Sequence, residues 1–216
     1  MLSLWIGGKT FPVSKNLTEQ HLETILDSYN SQSLQKMLLG RGQKVNSHKD
    51  ANLKALARVF LDEKYLRKAL ENLPEPGRQA LARLVIRGVD GVLAFPSLKQ
   101  QLSARYGPDY AATALQQLIG TGLALYAFRN GTTLSFEGGY NKHSLEAPGS
   151  LNPPYSAPPP GYEQVVWALP QVVAMFKLDP QLEKELQPPA LKPFGEPSAP
   201  QPVESIRFET LLADLF

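Results

Sequence analysis

Proline placement constrains this chain more than any other feature of its sequence: 14 of its 19 prolines fall between Pro148 and Pro202, and only Pro12, Pro74, Pro76, Pro96 and Pro108 precede them. Proline lacks a backbone N–H and fixes φ, so it fits the first turn of a helix, tight turns and extended segments, but not helix interiors or central strands. The globular part of the chain is therefore expected before residue 140, with an extended tail beyond it.

Hydrophobic spacing divides the first 140 residues into short elements. Residues 2–13 alternate loosely around Gly7-Gly8, which suggests a strand or hairpin arm. After Thr18, the positions Leu22, Ile25, Leu26 and Tyr29 follow the i, i+3, i+4, i+7 rule of an amphipathic helix. Ser33 is the expected cap of a second helix, with Leu34, Met37 and Leu38 inward and Gly40 and Gly42 at its end. A third begins near His48, runs through Leu53, Leu56, Ala57 and Phe60, and continues or bends into Tyr65, Leu66 and Leu70. Pro74-Glu75-Pro76 opens a fresh helix that Gly88 ends. A short apolar run at 92–95, a helix from Pro96-Ser97 to Tyr106 and a helix from about Asp109 to Ile119 follow. Leu123 to Phe136, with Asn130-Gly131 between its halves, reads as a β-hairpin. The expected fold class is mainly α with a small β component, that is α+β.

Cysteine is absent, which removes disulfides, thiolate nucleophiles and cysteine-based zinc sites together and suits a reducing compartment. The N-terminus lacks the layout of a signal peptide, and no run approaches the roughly 20 apolar residues of a membrane span. A cytoplasmic location follows as an expectation, beside the nucleoid in a bacterial cell. Gly8-Lys9-Thr10 has the ending of a phosphate-binding loop. The rest of the pattern fails: its first glycine would fall on Ser3, no strand is expected before it, and Pro12 sits where the phosphate-cradling helix should run. His21, His48 and His143 have no ligand spacing, and the carboxylates form no acid–base grouping. The expectation is a protein without catalytic centre, metal, cofactor or small-molecule substrate.

The charge is more informative in its distribution than in its sum of +2. Between Lys36 and Arg87 there are twelve basic residues against five acidic ones, so the helical first half is basic. Within it, Ser33 to Leu38, Gly42, Lys44, Lys49, Leu53 and Leu56 form a helix, a basic turn and a helix that resemble a SAP motif, with Gln43 where that family places leucine. The resemblance implies phosphate contacts from Lys36, Arg41, Lys44, Lys49 and Lys54. The segment 74–137, three helices and a hairpin, looks like a winged helix. Its third helix carries Gln116 and Gln117 but no Lys or Arg, and its cationic helpers are Lys99, Arg105 and Arg129. Together with Val165 to Val173, the series is similar to bacterial accessory proteins related to the N-terminal region of XPB-type helicases, without the motor.

The expected organisation is an arm (1–21), a SAP-like module (22–70), a winged helix (71–140), a proline-rich linker (141–161), an apolar docking segment (162–187), a second linker (188–204) and a C-terminal helix (205–216). Trp167, Phe176, Phe208, Leu212 and Phe216 are the residues expected to pack on residues 1–140 or on a partner. Two functions stand as expectations: sequence-independent contact with duplex DNA inside a larger assembly, and a scaffold that holds other protein subunits through the winged helix and the tail.

Overall fold

The computed structural model describes residues 2–6, 8–12, 17–136, 160–177 and 180–186. Helix α1 (Glu19–Asp27) starts on a capping box, with the Thr18 hydroxyl accepting from the His21 N–H while the His21 ring accepts from the Thr18 N–H. Helix α2 (Ser31–Gly40) is capped by Asn30, not by Ser33: the Asn30 side chain accepts from the Ser33 N–H at 2.8 Å, and Ser33 is buried in the first turn. Asparagine is as good an N-cap as serine, so the earlier of the two claims the position. The helix ends in a Schellman motif, in which the N–H groups of Gly42 and Gln43 donate to the carbonyls of Leu39 and Leu38.

Helix α3 (Lys49–Leu61) bends at Asp62 into α4 (Glu63–Glu71), because the Asp62 side chain accepts from the N–H groups of Lys64 and Tyr65 and opens a new helix. Pro76 lies in the first turn of α5 (Glu75–Arg87) and Pro96 in that of α6 (Phe95–Tyr106), while Pro108 begins α7 (Pro108–Gly120). Two short helices, α8 (Pro170–Met175) and α9 (Pro180–Leu186), also start on proline. Among the described residues, no helix is long and apolar enough to cross a membrane.

The strands are β1 (Ser3–Ile6), β2 (Lys9–Pro12), β3 (Val92–Ala94), β4 (Ala124–Asn130), β5 (Thr133–Ser135) and β6 (Glu163–Ala168), and they form one mixed sheet in the order β2-β1-β5-β4-β6-β3. The β4–β5 hairpin forms where Asn130-Gly131 stands. Its loop is Gly131-Thr132, since Asn130 pairs with Thr133, and the positive φ of 57° falls on Gly131 at the first loop position. The N-terminal residues form the β1–β2 hairpin, and β1 joins β5 in parallel, with Leu4 opposite Leu134. The fold is α+β.

Strand β6 lies between β4 and β3, pairing Val166 with both Tyr126 and Leu93. Of the tail residues expected to find cover, Trp167 is fully buried in this sheet against Phe136, and Phe176 is packed at the margin of the same core. Phe208, Leu212 and Phe216 lie outside the described residues. The core is continuous from Leu2 through Leu26, Phe60 and Leu118 to Val172, and α1–α4 meet the rest through α2 against α7, α1 against β1 and α4 against α8.

Candidate phosphate-contact surface

The basic turn after α2 is held by a reciprocal pair of hydrogen bonds. Asn46 donates its N–H to Asn52 Oδ1 at 2.8 Å, and Asn52 Nδ2 donates to the Asn46 carbonyl at 2.9 Å. Asn52 is completely buried, so its amide does for this turn what a strand partner does for a ladder. The turn thereby presents Lys44 exposed, and Lys54 is exposed on the following helix.

The other sequence-predicted cations are largely engaged inside the chain. Lys49 Nζ donates to the Asp27 carboxylate and, at 2.9 Å, to its backbone carbonyl, so it ties α3 to the end of α1. Arg129 and Glu163 face each other across the β4–β6 ladder, with Nε donating to Oε1 at 2.7 Å. Lys36 and Lys99 are half-buried, and Arg105 extends beside the Tyr106 ring, 5.6 Å from its centroid. Gln117 Oε1 accepts from the Gly77 N–H at 3.1 Å, which fastens α7 to α5, and Gln116 is half-buried beside it. Six of the residues of α7 are buried, so the helix that a winged-helix reading sends into a groove packs mainly against α5 and α6.

Arg41 is also internal. It is 8% exposed, its Nε donates to the Thr121 carbonyl at the end of α7, and its guanidinium lies 4.6 Å from the centre of the Phe60 ring. Burial lowers its pKa to about 10, which leaves it charged at neutral pH. Its Nη1 and Nη2 are buried and, among the described residues, have no hydrogen-bond partner. Phe60 can lie beneath it because residue 122 is glycine: a Cβ there would stand 2.1 Å from the ring.

Helix α4 supplies cations that the motif-based reading passed over. Lys64, Arg67 and Lys68 are spaced i, i+3, i+4, which puts them on one helical face, and all three are exposed. They line a shallow groove with Glu63, Glu71 and Asn72. Arg67 donates to Glu63 at 2.7 Å, an exposed pair that water screens. The groove shares Lys68 and Asn72 with a cavity of about 150 Å³ that is also lined by Arg41, Tyr65 and Thr121. The spacing was legible in the sequence, whereas the approach of Arg41 to α4 depends on α2 and α7 ending side by side.

Elsewhere, β1 precedes Gly8-Lys9-Thr10 within the expected hairpin arm, against the missing strand held to exclude a phosphate-binding loop, but Lys9 begins an antiparallel strand and not the helix that such a loop requires. Among the described residues, no group of three or more His, Cys, Asp or Glu is placed to hold a metal ion. No family model, no curated protein and no solved structure matches the chain.

Proposed function

We propose that this chain is a non-catalytic DNA-binding protein that holds duplex DNA by its phosphates, as a part of a larger DNA-processing, defence or transcription assembly. The observation that carries this reading is the continuity of the α4 groove with the Arg41 cavity: among the described residues, Arg41, Lys64, Arg67 and Lys68 line adjoining hollows against Glu63 and Glu71. Cations that contact phosphates give affinity without sequence preference, because phosphates carry no sequence information. The burial of α7 and the absence of Lys or Arg on it fit that lack of base reading. Lys44 and Lys54 extend the basic character along α2–α3.

The test is charge reversal on exposed positions of α4. Lys64→Glu with Lys68→Glu leaves the core untouched and should weaken binding to a 20-base-pair duplex at least tenfold, with the melting temperature unchanged. Equal affinity of the double variant and the parent chain contradicts the proposal. A scaffold role is the second reading, and the exposure of Leu39 (64%) and Val89 (68%) favours it. It gains if the same charge reversal leaves assembly and function intact.

A further inference from the structure

The cavity at the end of α2 has a feature that general phosphate contact does not use. Burying a charged guanidinium is costly unless its donors are satisfied, and a buried donor left without a partner costs most of its desolvation. Thr121 and Phe60 satisfy one N–H and one face of Arg41, and among the described residues Nη1 and Nη2 have no hydrogen-bond partner. The cavity that Arg41 lines is bounded, among the described residues, by a second cation, Lys68, and by the neutral side chains of Tyr65, Asn72 and Thr121, with no carboxylate. A site with two positive charges and no negative one is electrostatically incomplete.

We propose that this cavity binds one phosphate dianion, inorganic phosphate or a phosphate monoester, through Arg41 Nη1 and Nη2 and the Lys68 ammonium, with the Asn72 amide beside them. Charge selects a monoester over the backbone: a monoester carries about −1.5 to −2 at neutral pH and matches two cations. The planar Arg fork suits a bidentate oxyanion. Size agrees, because about 150 Å³ is well below the roughly 300–1,000 Å³ of pockets that enclose whole small molecules. The cavity therefore takes a group, with a few waters, and not a nucleoside. Both Nη atoms are covered in this structure, so the proposed binding requires the guanidinium to turn toward the cavity about its Nε bond to Thr121. The dianion is free inorganic phosphate or the terminal phosphate of a DNA strand, and only the second source rests on the DNA-binding reading.

The experiment uses the full chain and inorganic phosphate, titrated by calorimetry at constant ionic strength, with acetate as the carboxylate control. Saturable phosphate binding is expected, together with a shift of the Arg41 side-chain N–H resonances. Lys68→Gln should weaken it about tenfold or more, the scale of one hydrogen bond between charged groups. Because Arg41→Gln removes a buried side chain and can disturb folding, Asn72→Asp at an exposed position is the second variant, and its added carboxylate should abolish binding. A parallel arm compares duplexes ending in 5′-phosphate and 5′-hydroxyl: tighter binding of the former assigns the site to strand ends, and equal binding assigns it to free phosphate. No saturable phosphate binding, or acetate binding as tightly, overturns the proposal. DNA binding that persists without phosphate binding removes this site and leaves the function proposed above. Phosphate binding without DNA binding does the reverse.

Discussion

The hydroxyl of Tyr29 accepts a hydrogen bond from the backbone N–H of Tyr126 at 2.8 Å, across 97 residues of sequence. Tyr126 is in the middle of β4, and the pairing of β4 with β5 ends at Phe128 and Ser135, so the ladder on that side stops before it. A side chain from the end of α1 takes the place of a strand there, and it welds the N-terminal helices to the sheet. Burial holds the Tyr29 hydroxyl far above its usual pKa, so it stays protonated at any physiological pH.

Tyr29→Phe keeps the ring and removes the hydroxyl that accepts from the buried Tyr126 N–H. The cost should be about 1–3 kcal/mol, read from the urea midpoint with an unchanged slope. A loss below about 0.5 kcal/mol, the scale of an ordinary surface substitution, shows that the bond is dispensable.

Gly122→Ala adds one methyl group where φ is +68° and where the new Cβ would meet Phe60. Backbone strain and overpacking together should destabilise the chain by about 2–4 kcal/mol. Gly131→Ala is the control, since its positive φ is similar and a Cβ there meets nothing within 4 Å. It should cost about 1–2 kcal/mol, by strain alone. Equal losses at the two positions in a denaturation series contradict the close contact with Phe60.

Trp167→Ala tests whether β6 belongs to the core. Trp167 is fully buried and its strand is hydrogen-bonded on both sides, so the loss should be about 3–5 kcal/mol. Near-parental stability by thermal melting shows that residues 163–168 are not part of the folded sheet.

The sequence made the local elements legible because their signals are local. Thr18, Asp62, Pro76 and Pro96 each dispose of free helix N–H groups within one turn, and Asn130-Gly131 sits at the hairpin. Asn30 outcompeting Ser33 is an error of three residues between equivalent caps. The sheet was less legible, because insertion of β6 between β4 and β3 and parallel pairing of β1 with β5 are choices between distant segments. Val165-Val166-Trp167 gave the hydrophobicity but not the neighbour. At the candidate site, charge was read from composition, without the partners that lie far away in sequence: Arg129 with Glu163, Lys49 with Asp27, and Arg41 with Thr121 and Phe60. Lys64, Arg67 and Lys68 were visible at helical spacing and gained meaning only once Arg41 was seen beside Lys68.

The proposed contact between duplex DNA phosphates and α4 should show itself in the salt dependence of binding. With three phosphates contacted by Lys64, Arg67 and Lys68, counterion release gives a slope of about −3 in a plot of log affinity against log salt, a loss of roughly 40-fold between 50 and 200 mM. Fluorescence anisotropy of a labelled duplex, titrated with the purified chain at four salt concentrations, measures it. That slope is expected to be the same for unrelated sequences, and shallower by about two in the Lys64→Glu/Lys68→Glu variant. Affinity that does not change with salt, or no binding at 50 mM, contradicts it.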